Sequence, residues 1–234
     1  MNKDKMAHMP YGAYHKTSIP AHDPELTSTD PGTPMGEVMR KQWQPVCMSE
    51  QLTDVPKAIR IMGEDLVAFR DRSGTVGVLQ RHCSHRGTSL EYGIIQPKGI
   101  RCCYHGWVYD VDGTILEMPA EPKDSKIYDT VYHGAYPAFE RDGLVFAYMG
   151  PPDEKPAFPD FDTYHRPEGN KLVPMSLFSP CNWLQVYENI MDHLHVGTLH
   201  NPQMMTVQGV NDSEIEGMDY AAPMGFTEQP ALVW

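Results

Sequence analysis

The sequence predicts an α+β protein, an antiparallel all-β domain followed by the start of a helix-led domain. Three observations carry that expectation. Short β-type runs separated by turn formers fill the stretch from Cys47 to about Gly150. A segment crowded with prolines and charges, residues 150 to 170, then interrupts the pattern. Beyond it, CNWLQVYENIMDHLHVGTLH contains no proline and one glycine, and spaces its apolar residues as a helix does.

Taken in chain order, residues 1–30 are polar, aperiodic and scattered with Pro, Asp, Ser and Thr, which predicts a flexible or surface-draped arm. TPMGEVMRKQWQPV follows, with Thr33 as a helix cap, Pro34 at the first helical position and Pro45 as a stop, so a short helix leads into the β-domain. AIRIMG, EDLVAFRD, TVGVLQ, GIRCCYHGWVYD, GTILEM and GLVFAYMG read as strands, with RSG, DVDG and ERDG as turns. The Asp-Gly pair of DVDGT accommodates the positive φ angles of a tight hairpin. These features bound a β-domain at 31–150, a linker at 151–170 and a second domain at 171–234. Trp183, Val186, Tyr187, Ile190, Leu194 and Leu199 supply the apolar face of the helix that opens the second domain. The tail from Asn201 to Trp234 has no clear period, and the chain shows no internal repeat.

Composition excludes several classes. The 234 residues carry 31 Asp and Glu against 19 Lys and Arg, a formal charge of −12, with no basic run, so a nucleic-acid partner is not expected. The carboxylates read as a solvated surface. No stretch of eighteen apolar residues occurs and the N-terminus lacks a signal-type apolar core, which predicts a cytoplasmic protein with no membrane partner. Five unevenly spaced cysteines fit a reducing compartment better than a disulfide framework. They are therefore expected to be ligands or core residues, with Cys47 and Cys181 as buried hydrophobes.

Two loops carry the first constellation. RHCSHRGTS offers Cys83 and His85, and RCCYHGWVY offers Cys102 or Cys103 with His105. A zinc finger usually has its two cysteines in one turn and its two histidines in the other, whereas each loop here mixes the types, which suits two metals better than one. The pattern Cys-x-His followed by Cys-x-x-His resembles the signature of Rieske proteins, in which one iron of a 2Fe-2S cluster takes two thiolates and the other two imidazoles. The resemblance implies Cys83, His85, Cys102 and His105 as ligands, and leaves Cys103 as a neighbour. Respiratory Rieske proteins add a cysteine to each loop and a serine that donates to cluster sulfur. Here Thr88 or its neighbours and Tyr104 stand at the cysteine places, and Gly106-Trp107 follows the second histidine. Fewer hydrogen bonds to sulfur predict a potential toward the bottom of the range of about −150 to +300 mV.

The second constellation lies on the helix, at Asp192, His195 and His200. Asp192 and His195 share a helical face. His200 falls about 140° further round an ideal helix, so Gly197 or a local widening has to aim it at the same point. Two histidines with one carboxylate form the facial triad of non-haem Fe(II) oxygenases, which leaves positions open for O2 and substrate.

Both motifs, in this order and with this linker, resemble the catalytic subunit of Rieske non-haem iron aromatic-ring oxygenases. GTPMGEVMRKQWQPV and CNWLQ further resemble the subgroup of phthalate 4,5-dioxygenase, phenoxybenzoate and chlorobenzoate dioxygenases and dehydrodivanillate O-demethylase. The resemblance covers about residues 30 to 205 and implies a Rieske domain followed by the truncated start of a helix-grip-like catalytic domain. It implies His195 and His200 as ligands of a mononuclear Fe(II), and Asp192 as the bridge between His195 and His105 of the partner subunit. Asn189 would sit near the iron, with Glu188 behind it. In relatives the iron-binding carboxylate lies further downstream, so Asp212, Glu214, Glu216, Asp219 and Glu228 are poor substitutes and the triad is expected to be incomplete here. The implied activity is O2-dependent hydroxylation or O-demethylation of an aromatic acid. Electrons would come from NADH through a partner reductase or ferredoxin, and the full-length protein would form a homotrimer or a multiple of one. A Rieske electron carrier without oxygenase activity is the rival reading, and a structural zinc protein the second.

Overall fold

The structure is a computed structural model that describes residues 21–192, 194, 195 and 199. It forms two compact units, to Leu177 and from Phe178 onward. Within the stretch expected to be an arm, Pro24–Thr27 forms a one-turn helix (α1) because the Asp23 carboxylate accepts the Glu25 amide at 2.9 Å. The next helix, α2 (Pro34–Arg40), starts as its sequence dictates, with Pro34 in the first turn and the Thr33 hydroxyl capping the Gly36 amide. Pro45 does not stop that helix. It lies inside strand β1 (Trp43–Met48), an edge strand whose register with its neighbour shifts between Pro45 and Cys47, the kind of place in a sheet where proline is tolerated.

Three antiparallel sheets follow. The first orders β1, β11 (Leu144–Tyr148) and β10 (Ala138–Arg141). The second orders β2 (Lys57–Ile61), β3 (Glu64–Arg70), β4 (Val76–Gln80) and β9 (Ala135–Tyr136). The third orders β5 (Ile94–Ile95), β6 (Ile100–Arg101), β7 (Val108–Tyr109) and β8 (Ile115–Glu117). A short helix, α3 (Ile127–Thr130), returns the chain to β9. The β10–β11 turn has Asp142 and Gly143 at φ +47° and +80°, the double positive φ of a two-residue hairpin, which explains the Asp-Gly pair there.

Strand β3 is buried on both faces, and its period of two divides the core. Leu66 and Ala68 join Val76, Val78, Val145 and Ala147 in one cluster. Val67 and Phe69 join Leu79, Leu90, Ile100, Trp107 and Tyr109 in the other, which also contains Cys83 and Cys102. Each fully buried side chain of this size contributes about 1.5–3 kcal/mol. Arg40 ties α2 to the second sheet by donating to the Met62 carbonyl at 2.6 Å and pairing with Glu64 at 3.0 Å, so its buried charge is matched.

Residues 151–170 are irregular, apart from single turns at Pro152–Glu154 and Asp162–Tyr164. They are nonetheless fastened to the first sheet. Trp43 Nε1 donates to the Pro156 carbonyl at 3.0 Å, the Phe158 ring packs edge-on against Phe139 and Phe146 at 4.8 Å, and Arg166 pairs with Asp142 at 2.7 Å. In the second unit, α4 (Trp183–Met191) begins at Asn182, whose side chain accepts the Leu184 amide. Among the described residues no helix is long and apolar enough to cross a membrane. The tail 201–234, His193 and His200 lie outside the described residues.

Candidate metal centre

Two six-residue loops with the same backbone build the site. Residues 83–88 hang between His82 and Ser89, which form an isolated antiparallel bridge, and residues 102–107 hang between Arg101 and Val108, which pair in β6 and β7. In each loop the cysteine amide donates to the carbonyl of the sixth residue, Cys83 to Thr88 at 2.9 Å and Cys102 to Trp107 at 2.8 Å. The glycine at the fifth place donates back to the cysteine carbonyl, Gly87 at 2.8 Å and Gly106 at 3.1 Å. Closing so tight a loop needs a left-handed residue, and both glycines take it, at φ +73° and +77°. The imidazole sits third in one loop and fourth in the other, which is why the two spacings differ.

The side chains sort by element. Cys83 and Cys102 are 4% and 2% exposed, their thiols lie side by side, and Cys103 is exposed. His85 and His105 are exposed, with ring centroids 4.5 Å apart. Trp107, from the second loop, stacks on His85 of the first at 4.9 Å with the rings 2° from parallel, and Tyr104 lies against His105 at 3.8 Å. Among the described residues no three His, Cys, Asp or Glu side chains gather as a group for a single ion. The four donors form a buried sulfur pair and an exposed nitrogen pair, a set whose chemistry fits a two-iron cluster with sulfur inward and imidazole outward.

The electrostatics suit ligands that are neutral before metal arrives. Partial desolvation, then the neighbouring His105 and Arg86, hold the His85 pKa below the ordinary imidazole value. Burial raises the Cys102 pKa, while the amides of Tyr104 and His105 donate to its sulfur and pull the other way. Those amides are ready to support a thiolate once metal displaces the proton.

Sequence reasoning missed the support beneath the loops. The Tyr109 hydroxyl lies 2.9 Å from Cys83 Sγ, so one thiol has a hydrogen-bond partner although Gly106-Trp107 supplies no serine to the site. His133 stacks on Tyr109 at 4.3 Å and reaches Ser84 Oγ and the Gln80 carbonyl, both at 2.7 Å. Tyr109 was readable in principle, four residues past His105 on a strand, but His133 carries no local signal. Of the other cysteines, Cys47 is half-buried with its thiol pushed up to about 11 by desolvation, and Cys181 is exposed rather than buried.

The second constellation differs from a single continuous helix. Helix α4 ends at Met191, and Asp192 takes an extended conformation at φ −87°, ψ 92°. Its carboxylate then accepts the amides of Leu194 at 3.0 Å and His195 at 3.3 Å, starting a new helical turn. Asp192 Oδ2 lies 3.9 Å from His195 Nδ1, so the two side chains are neighbours across a break in the helix rather than on one continuous helical face. Glu188 and Asn189 occupy the last turns of α4, and the Asn189 carbonyl receives the Asp192 amide at 3.3 Å.

Residues 42–139 match the family model of the Rieske [2Fe-2S] domain. The chain is 62% identical over 210 residues to the tert-butanol monooxygenase / tert-amyl alcohol desaturase oxygenase subunit of Aquincola tertiaricarbonis, covering 90% of this chain and 44% of that one. It is 44% identical over 210 residues to the phenoxybenzoate dioxygenase subunit alpha of Ectopseudomonas oleovorans, covering 84% and 50%. Among solved structures, Pseudomonas putida CBB5 NdmA shares the fold with a TM-score of 0.62 at 24% identity, over 71% of this chain and 53% of that one. The chain spans about half the length of the curated relatives it matches.

Proposed function

We propose, on the premise that the chain belongs to the oxygenase subunits that carry a Rieske [2Fe-2S] domain, that it is the electron-receiving portion of an oxygenase component. In this reading Cys83 and Cys102 hold the inner iron of the cluster, and His85 and His105 the outer one. The observation that carries it is the sorting of the donors, with two buried thiols side by side and two exposed imidazoles 4.5 Å apart. A bound cluster supplies one-electron storage there. The protein's own part is to bury the sulfur end, to orient His85 by stacking it on Trp107, and to leave both imidazole edges open to donor and acceptor. The donor is a reductase or ferredoxin that draws on NADH.

The second unit takes the onward step in the same reading. His195 and His200 hold a mononuclear iron, whose chemistry is O2 activation. Asp192 orients His195 and offers its other oxygen to His105 of the partner subunit in a homotrimer or a multiple of one. Asn189 lies near the iron, with Glu188 behind it. The substrate is an aromatic acid, hydroxylated or O-demethylated, by likeness to phenoxybenzoate and phthalate dioxygenase subunits. A short tertiary alcohol is the second reading, favoured by the 62% identity to a tert-butanol monooxygenase subunit.

Anaerobic loading of the purified chain with iron and sulfide tests the cluster. Equal iron and acid-labile sulfide with a Rieske-type EPR signal on reduction is expected, and a colourless protein that binds only zinc overturns it. For the oxygenase, a full-length form supplied with NADH and a reductase is offered tert-butanol and phthalate in parallel, and product decides between the substrates. A reducible cluster with no O2 consumption on either would favour an electron carrier.

A further inference from the structure

We propose that His133 is a positioning residue for the cluster, clamping Tyr109 and the first cysteine loop so that the Tyr109 hydroxyl donates to Cys83 sulfur. Through that bond it raises the electron affinity of the centre. The proposal rests on the reading of Cys83 as a cluster ligand.

His133 is 2% exposed and sits 49 residues beyond Ser84 in the chain. A carbonyl only accepts, so the 2.7 Å contact with Gln80 assigns the proton to Nε2. Nδ1 is then the acceptor, and the Ser84 hydroxyl donates to it at 2.7 Å. Burial keeps this neutral form in place by holding the His133 pKa below the ordinary imidazole value. The ring thus links the end of β4, at Gln80, to the residue between Cys83 and His85.

Its face is occupied as well. The His133 and Tyr109 rings stack at 4.3 Å and 30°, which fixes the plane in which the Tyr109 hydroxyl points at Cys83 Sγ, 2.9 Å away. Ser84 also lies beside the Tyr109 phenol. With its proton committed to His133, Ser84 can only accept there, and a charged thiolate outcompetes it for the Tyr109 proton. A metal-bound thiolate accepts and never donates, so the bond runs from Tyr109 to sulfur. Reduction adds negative charge to the cluster, and a donor to sulfur stabilises the more negative form. An apolar side chain of similar size would fill this place without burying two ring nitrogens, which among the described residues are held by the loop serine and the Gln80 carbonyl.

The test measures the midpoint potential of the loaded chain. Tyr109→Phe removes the donor and sets the scale, with an expected fall of about tenfold in the equilibrium constant for electron uptake, about 59 mV for a one-electron couple. His133→Phe keeps an aromatic face but loses both polar anchors, and should lower the potential by a large part of that amount. His133→Gln retains an anchor and should restore part of it. In the Tyr109→Phe background, neither His133 change should shift the potential further. A wild-type potential in His133→Phe, or equal shifts in both backgrounds, overturns the proposal. If His133→Phe fails to take up a cluster, His133→Gln decides by the same two criteria. Wild-type protein that takes up no cluster refutes the ligand reading itself, and the proposal with it.

Discussion

The two cysteine loops share a backbone and differ in what supports them. The second loop is held locally, because Arg101 and Val108 pair at its base and Arg101 Nη1 donates to the Gly106 carbonyl at 3.0 Å. The first loop has only the isolated bridge of His82 with Ser89 at its base, and leans on Tyr109 and His133, 26 and 49 residues away along the chain. A short motif can therefore specify the shape of both loops, while the rigidity of one of them is supplied by the rest of the domain.

Replacing a ligand breaks the comparison most completely. Cys83→Ser and Cys102→Ser should each abolish the cluster, seen as loss of visible absorbance and of acid-labile sulfide, because either change leaves one iron with a single thiolate. Cys103→Ser should leave both unchanged, since Cys103 is exposed whereas the sulfur pair is buried. Loss of the cluster in the Cys103 variant would put the second thiolate in the wrong place.

The loops also cross-support each other through Trp107, which stacks on His85. Trp107→Leu should hasten bleaching by a chelator by roughly 10- to 100-fold, the usual cost of removing a group that orients a metal-bound imidazole. Trp107→Phe, which keeps a flat ring, should recover much of the loss. Equal bleaching of wild type and Trp107→Leu would mean that the stack orients nothing.

How much of this was readable follows from the same contrast. The four donors, the glycines and the strands flanking them lie within a few residues of one another, so their spacing reports their geometry directly. EDLVAFRD was legible as a strand, but not that both of its faces would be buried, because that depends on which sheets close over it. Pro45 looked like a helix stop because a bulge that tolerates proline is a property of the pair β1 and β11. The break at Asp192 was hidden for the opposite reason. Its local pattern fits a continuous helix, and an Asp that caps a new turn has the same sequence neighbours as one on a helical face. The role assigned to His200 lies outside the described residues.

Asp71 gives the second loop a tether the first lacks. Its buried carboxylate accepts from Ser73 Oγ at 2.6 Å and from the amides of Ser73, Thr75 and Gly99, the last immediately before β6. Burial works against the charge, but the hydrogen bonds from Ser73, Gly99 and Thr75 outweigh it and leave the pKa below the ordinary aspartate value. A folded pKa below the unfolded one makes the stabilisation complete above about pH 4 and lets it fade as pH drops through the native value. Asp71→Asn should therefore cost about 2 kcal/mol in denaturant unfolding at neutral pH. The gap from wild type should narrow in acid, and a gap independent of pH would mean that packing rather than charge is lost.

The smallest effect separates the loops themselves. Gly87 and Gly106 have nearly the same positive φ, so alanine at either should cost about 1 kcal/mol for the left-handed backbone alone. Their surroundings differ. A Cβ on Gly87 meets nothing within 4 Å, whereas one on Gly106 would stand 3.1 Å from Pro119 Cγ and 3.6 Å from Arg101 Nη1, the group that holds the Gly106 carbonyl. Pro119 is exposed and can yield by a few tenths of an ångström, so the added cost should stay below about 1 kcal/mol. Gly106→Ala should thus unfold at a slightly lower denaturant concentration than Gly87→Ala, with both clusters still assembled. If the two midpoints coincide, Pro119 and Arg101 give way freely and the second loop is no more firmly held than the first.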